Sequence, residues 1–192
     1  MTLLGSMVLL HCGNTLPAKH ASPSAHTARP IERFFPLQDG HVYTYDIVSP
    51  PGAPREQFIV RIRRRSADRA EMLTGGAVRQ IVLEEDGIRR EDAGYVLRVP
   101  LRVGATWQGD NGGTATVEAT DVEAQVPAGS FKGCVRVVER LTTAERKVIT
   151  TVLCEGVGIV TMQVQASSGS EQAVQRVELR FYGPPVDLEA KD

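Results

Sequence analysis

From residue 34 to residue 183 the chain alternates apolar and polar residues in short runs that turn residues separate. In the run EQFIVRIRRR at 56–65, for example, Phe58, Val60 and Ile62 share one face. Alternation with a period of two is the pattern of a half-buried β-strand. Such runs recur about ten times, at the spacing of sandwiches and barrels. We therefore predict an all-β antiparallel sandwich or open barrel of about ten strands, with no amphipathic helix beyond about one turn.

The alternating pattern also divides the chain. Residues 13–33 are rich in Pro, Ala, Ser, Thr and His and have no apolar period, which is typical of a flexible linker. Residues 1–12 form a weak signal segment ahead of it, and 184–192 form a tail that we expect to be loose. The remainder, 34–183, is predicted to be a single β-domain.

Asp86-Gly87 is a strong signal for a hairpin turn between two of these strands. A two-residue turn there pairs Glu85 with Ile88. It also sets Glu84 opposite Arg89 on the two strands.

A second hairpin is predicted between Cys134 and Cys154, with its turn near Ala144. Symmetric pairing about Ala144 places Val137 opposite Thr151 and the two cysteines opposite each other. Opposed residues of antiparallel strands have Cα atoms about 4.5 to 5.5 Å apart, and a disulfide spans about 4.4 to 6.8 Å. We predict a disulfide here, with two buried free thiols as the alternative.

Composition and charge exclude few classes of partner. The chain has 22 basic and 23 acidic side chains, so its net charge of -1 gives no global reason to expect nucleic acid. Apolar residues make up 42% but aromatic residues only 5%, so we expect a core of Val, Leu and Ile. No apolar run approaches the roughly 20 residues that a membrane-spanning helix needs.

One local basic cluster stands out against this balance. Arg61, Arg63 and Arg65 fall on one face of a predicted strand. They are candidates for contact with anionic lipid headgroups or an acidic partner. The alternative is the ordinary polar face of an amphipathic strand. Nucleic acid is not expected, because no aromatic ladder accompanies the arginines.

Motifs for catalysis or metal binding are not found in the sequence. It contains no GxSxG, HExxH, Walker or GxGxxG pattern. A zinc site would need two ligands besides Cys134 and Cys154, and no histidine follows His41. The segment DNGG at 110–113 has too few oxygen ligands for a calcium loop and is typical of a hairpin turn. We expect no catalytic residue, no metal and no cofactor.

The N-terminus resembles a weak or truncated export signal, because no Lys or Arg precedes its apolar stretch. Residues 2–10 are uncharged and mostly apolar, like the middle of a secretory signal. The sequence Leu9-Leu10-His11-Cys12 resembles the lipobox of bacterial lipoproteins, in which a Leu three residues before an invariant Cys marks cleavage. Leu9 and Cys12 match, whereas His11 stands where a small residue is usual. The resemblance implies that Cys12 is lipidated and anchors the chain to a membrane; the alternative is an apolar N-terminus of a cytosolic protein.

Three turn motifs carry a second resemblance. PLxxGxxW at 100–107, VPAGSF at 126–131 and GVGIV at 156–160 resemble secreted bacterial β-domains of unknown function, many of them lipoproteins. The resemblance implies an extracytoplasmic β-domain and no catalytic residues to transfer. The first motif also repeats an earlier one, PLxxGxxY at 36–43, at an offset of 64 residues; internal duplication and coincidence both remain open.

These observations predict an envelope lipoprotein that faces the periplasm or the exterior and acts as a non-catalytic binding or interaction module. Its partner would be a protein or an apolar ligand. The alternative function is a carrier that shelters an apolar ligand between its sheets. A large apolar pocket would favour the carrier, and a buried titratable pair in a cleft would favour an enzyme.

Overall fold

The structure is a computed structural model that describes residues 29–48, 56–142, 146–168 and 171–185. Within these ranges the chain forms one 3₁₀-helix, Pro30–Arg33, and twelve β-strands. The strands are β1 (Val42–Val48), β2 (Glu56–Arg64), β3 (Arg69–Thr74), β4 (Ala77–Leu83), β5 (Gly87–Arg90), β6 (Tyr95–Arg98), β7 (Thr106–Gln108), β8 (Thr114–Val126), β9 (Gly129–Thr142), β10 (Arg146–Cys154), β11 (Gly158–Ser168) and β12 (Glu171–Gly183).

All twelve strands belong to one sheet with the order β6-β5-β4-β3-β2-β1-β12-β11-β10-β9-β8-β7. Neighbouring strands are antiparallel, and β1 pairs with β12, so the meander curls round until β6 and β7 approach each other. There, Tyr95 forms a parallel bridge with Gly109, and the indole N–H of Trp107 donates to the Tyr95 carbonyl at 3.0 Å. The predicted all-β open barrel is confirmed, with twelve strands rather than about ten.

The two strands that the alternating pattern did not reveal are β3 and β7. β7 has three residues, too few to show a period. β3 has the sequence RAEMLT, in which Ala and Glu have low strand propensity and no residue before the final Thr is β-branched or aromatic. Pairing with β2 on one side and β4 on the other nevertheless holds β3 in the sheet. Tertiary pairing has therefore overridden local propensity at β3.

The hairpin at Asp86-Gly87 exists, but its predicted register is wrong. Leu83, rather than Glu85, pairs with Ile88, so the connection between β4 and β5 has three residues. Gly87 is needed for close packing, because a Cβ there would lie 2.6 Å from the Tyr95 ring. Glycine is therefore required at position 87 because Tyr95 of β6 packs against it, and not because a two-residue turn forms there.

One end of the barrel is filled by the segment that precedes β1; we call it the closed end. Ile31, Phe35 and Leu37 are buried there. The N–H of Gly156, in the turn between β10 and β11, donates to the Arg33 carbonyl at 2.7 Å. The packed structure thus begins before residue 34, where the linker was expected to end. A single apolar residue such as Ile31 gives no periodic signal, which is why the pattern alone did not include it.

The repeated motif forms the same local structure at both of its positions. Tyr43 and Trp107 are the second residues of β1 and β7, and each is only 6% exposed. Gly40 and Gly104 have φ of +75° and +85°, a region that favours glycine. Each glycine N–H donates to a backbone carbonyl of the strand that pairs with the one it precedes: Gly40 to Ile62 of β2 at 3.0 Å, and Gly104 to Val117 of β8 at 2.9 Å. The motif therefore sets the start of two strands and places an aromatic ring in the core.

Candidate functional site

The end of the barrel opposite the closed end contains a cavity of about 280 Å³; we call this the open end. Phe35, Tyr45 and Ile159 lie at its deep side, where the N-terminal segment closes the barrel. Apolar side chains from β2, β3, β9, β10, β11 and β12 form most of the wall. The cavity is close to the lower end of the roughly 300 to 1,000 Å³ that small-molecule sites span. It is therefore an interior space that an apolar ligand of modest size could occupy.

Polar and charged side chains line the same cavity towards the open end. We call them the mouth cluster: Arg79, Arg90, Asp110, Asn111 and Glu139. They are contributed by β4, β5, the turn between β7 and β8, and β9. The cavity thus joins an apolar interior to a charged mouth.

Glu139 is the buried member of the mouth cluster, at 5% exposure. Its carboxylate accepts hydrogen bonds from the backbone N–H of Asn111 at 3.0 Å and of Gly113 at 2.8 Å. The Asn111 side-chain amide donates a third, at 2.8 Å. These charge-assisted bonds satisfy a charge whose burial would otherwise be costly. Glu139 therefore holds the 109–113 turn against β9.

Asp110 lies beside Glu139 in this turn. Burial, and after it the neighbouring Glu139 carboxylate, raise the pKa of the Asp110 carboxyl to about 6, although Arg90 and Arg79 oppose the shift. The Asn111 side-chain amide also donates to Asp110 Oδ1 at 3.0 Å. The charge of the mouth therefore changes in the mildly acidic range.

The two predicted hairpin cysteines are joined. Cys134 and Cys154 form a disulfide with a Cα–Cα distance of 4.1 Å. The pairing of β9 with β10 follows the predicted register, since Val137 pairs with Thr151 and Leu141 with Lys147. Both the hairpin and the disulfide are thus confirmed. The bridge links two long strands of the wall and takes no part in the cavity lining.

The predicted basic cluster lies on the outer face of β2 and just beyond its end. Glu71 of β3 forms ion pairs with Arg63 at 3.3 Å and with Arg65 at 2.9 Å, and these arginines help to lower the pKa of the Glu71 carboxyl. Arg61 is exposed. The Glu71 carboxylate of the same chain therefore already neutralises part of the charge of this cluster. Contact between the cluster and an anionic partner stays a prediction.

The remaining site expectations concern lipidation, metals and membrane helices. Cys12, the predicted lipidation site, lies outside the described residues. Across the described ranges, no group of three or more His, Cys, Asp or Glu is arranged to hold a metal ion. The helical residues in those same ranges do not make a helix long and apolar enough to cross a membrane.

The mouth cluster was not predicted from the sequence. Glu139 carries the clearest signal, because it follows the inward-facing Val137 at the period of a strand and so occupies a core position. A charged residue at such a position is an informative exception to the apolar pattern. Arg79 and Arg90 stand at the same period from Ile81 and Ile88, but each lies near an end of its strand, where a charged residue is less informative.

No protein-family model matches this chain, and no curated protein matches it either. Two solved structures have a similar fold. One is a Bacteroides fragilis protein described as exported, with a YmcC-like fold: the TM-score is 0.53 at 14% identity, over 78% of this chain and 98% of that one. The other is a Parabacteroides distasonis protein described as a lipoprotein, with a TM-score of 0.50 at 9% identity and the same coverage. At these sequence identities the two comparisons show a shared fold and nothing more about this chain.

Proposed function

We propose that this chain is an extracytoplasmic, membrane-anchored module that holds an apolar ligand in its interior cavity. The observation that carries the proposal is the cavity itself, about 280 Å³ in volume and largely apolar. Protein interiors are normally packed to the density of organic crystals, so a space of this size is not expected from folding alone. The cavity favours the carrier over a module that interacts only through its outer surface.

The extracytoplasmic location draws on three independent supports. Disulfides persist in oxidising compartments, and Cys134–Cys154 is such a bond. Leu9 and Cys12 match the lipobox pattern, which would place the anchor on Cys12. The two proteins of similar fold are described as exported and as a lipoprotein.

The proposed function is non-catalytic, although a buried pair of carboxyl groups is also what a general acid–base catalyst uses. Glu139 accepts three hydrogen bonds from the 109–113 turn, so its lone pairs serve the structure of the mouth. Asp110 lies on the turn that these bonds hold. We therefore assign Glu139 and Asp110 a structural role, in which Glu139 holds the 109–113 turn at the mouth of the cavity.

The ligand proposal can be tested with 1-N-phenylnaphthylamine, a dye whose fluorescence rises in apolar surroundings. The protein should bind the dye. Ala115→Leu should weaken dye binding about tenfold or more, because Ala115 lines the cavity and the larger side chain would occupy part of it. Ala77→Leu is the matched control, since Ala77 is exposed at the start of β4. It should bind the dye like the wild type.

Ala115 is buried, so its enlargement could also disturb folding. Val164→Phe, at a partly buried position of the wall, provides a second way to fill the cavity. A thermal melt of each variant separates loss of the cavity from loss of the fold. Unchanged dye binding in two folded, cavity-filled variants would overturn the proposal.

The anchor can be tested by metabolic labelling with a fatty acid. The wild type should be labelled and Cys12→Ser should not. Cys134→Ser is the control, because it removes a thiol from the disulfide and leaves the lipobox intact. Equal labelling of the wild type and Cys12→Ser, or no labelling of either, would contradict lipidation at Cys12.

A further inference from the structure

Two arginines of the mouth cluster line the cavity without a hydrogen-bonded partner for their guanidinium groups. Arg79 on β4 pairs in the sheet with Met72, and Arg90 on β5 pairs with Ile81, and all four side chains line the cavity. Because Ile81 and Arg79 are two residues apart on one face of β4, the arginines are diagonal neighbours on adjacent strands. Within the described part of the chain, neither guanidinium forms an ion pair or a side-chain hydrogen bond.

This absence of partners contrasts with the arginines beside them. Arg89, the sequence neighbour of Arg90, pairs with Glu84 at 2.6 Å. Arg69, near the same strands, pairs with Glu91. Arg90 is partly buried, whereas Arg79 is exposed at the mouth. Partial burial favours pairing of the Arg90 guanidinium with an anion, because the interior solvates its charge less well than water does. The two guanidinium groups of the cavity therefore differ from their neighbours in having their donors free.

The carboxylates of the mouth do not use up these donors. Glu139 accepts N–H groups of the 109–113 turn at both of its oxygens. Asp110 is the other acidic side chain of the mouth cluster, and it receives a hydrogen bond from Asn111. Asp110 interacts electrostatically with both arginines but accepts no hydrogen bond from either. The two guanidinium groups therefore still have N–H donors available for an anion that enters the cavity.

We propose that the ligand is an amphiphile whose anionic head, a carboxylate or a phosphate, binds Arg79 and Arg90 while its apolar chain enters the cavity. This inference rests on the proposed function, since it needs the cavity to hold the chain. Guanidinium groups match both kinds of head, because their N–H donors can bond two anion oxygens at once. The depth of the cavity ends at Phe35, so the chain would run from the charged mouth to the closed end.

The test compares three probes of equal chain length as competitors of the dye: dodecanoate, dodecyl phosphate and dodecanol. For the wild type, at least one anionic probe should bind about tenfold or more tightly than dodecanol, as charge-assisted hydrogen bonds imply. The double variant Arg79→Gln/Arg90→Gln should remove that advantage and leave dodecanol binding unchanged. The ranking of dodecanoate and dodecyl phosphate identifies the head group.

Arg102→Gln is the matched control, because Arg102 is exposed in the connection between β6 and β7 and lies outside the cavity lining. It should retain the preference for the anionic probe. Equal affinity of all three probes, or tighter binding of dodecanol than of both anionic probes, would overturn the anionic head and leave the apolar cavity standing. Failure of the dye and every probe to bind would overturn the proposed function as well.

Discussion

The two ends of the barrel use the same sheet for different purposes. At the closed end, Ile31 and Leu37 fill the interior, and charges on the rim are paired, as in Arg33 with Glu155 at 2.6 Å. At the open end the interior is hollow, and the unpaired Arg79 and Arg90 face the space. Packing and pairing at one end contribute stability that an under-packed, charged mouth at the other does not. This difference between the two ends is what the proposed binding function requires of the open end.

The largest expected effect on stability comes from a core substitution in the barrel wall between the two ends. Trp107→Ala should lower the free energy of unfolding by about 3 to 5 kcal/mol, as large-to-small core substitutions do. The ring is buried, and its N–H bonds the Tyr95 carbonyl where β6 meets β7. Chemical denaturation monitored by circular dichroism measures the loss.

Phe181→Ala is a suitable reference for that experiment, because Phe181 is 36% exposed. It should cost clearly less than the tryptophan substitution. A loss below about 1 kcal/mol for Trp107→Ala would mean that the indole contributes little to the core. A binding role for Trp107 would then be the better interpretation.

The second effect concerns the disulfide, which ends next to the turn that packs on the closed end. Removing a bridge that closes a loop of 20 residues should cost about 3 kcal/mol in the chain-entropy model. Cys134→Ser and Cys154→Ser should therefore lower the thermal midpoint by similar amounts. The double variant should add little, because either change alone removes the same cross-link.

Reduction of the wild type by dithiothreitol supplies the comparison for those variants. It should reproduce the shift of the single substitutions and leave the variants themselves unaffected. If the two single substitutions instead added up in the double variant, the cysteines would be contributing as separate packed side chains and not as a bridge.

The sequence predicted the parts of this molecule that depend on nearby residues. The alternation of β2 and the symmetric spacing of Cys134 and Cys154 are set within one strand or one hairpin, so a local pattern was sufficient. The β4–β5 hairpin shows the limit. Its register depends on how the Tyr95 ring packs against Gly87, and that contact arises only when β6 joins the sheet.

The mouth cluster lies beyond that limit. Arg79, Arg90, Asp110 and Glu139 come from separate elements spread over 60 residues of the chain. Their meeting depends on the curvature that brings β6 to β7, and no local pattern encodes the closure of a sheet. The empty space they border is likewise invisible in a sequence, since apolar residues that line a cavity and those that fill a core have the same periodicity.

The smallest effect tests the open end through pH. The pKa of Asp110 is raised from 3.8 to about 6, so the folded state holds this proton more tightly than the unfolded state does. The contribution of Asp110 to stability is therefore fully present below about pH 4 and is lost as the pH rises through about 6. Asp110→Asn removes the charge and should leave the protein more stable than the wild type at pH 8, by roughly 1 to 3 kcal/mol, with little difference at pH 4.

Urea denaturation at pH 4, 6 and 8 measures this difference, and Asp92→Asn, at an exposed position of the β5–β6 turn, is its control. The stability of Asp92→Asn should depend on pH in the same way as that of the wild type. If the stability difference between Asp110→Asn and the wild type were instead the same at all three pH values, Asp110 would be as well solvated as a surface carboxylate. The open end would then differ from the closed end in packing alone, and burial would not have made its charge costly.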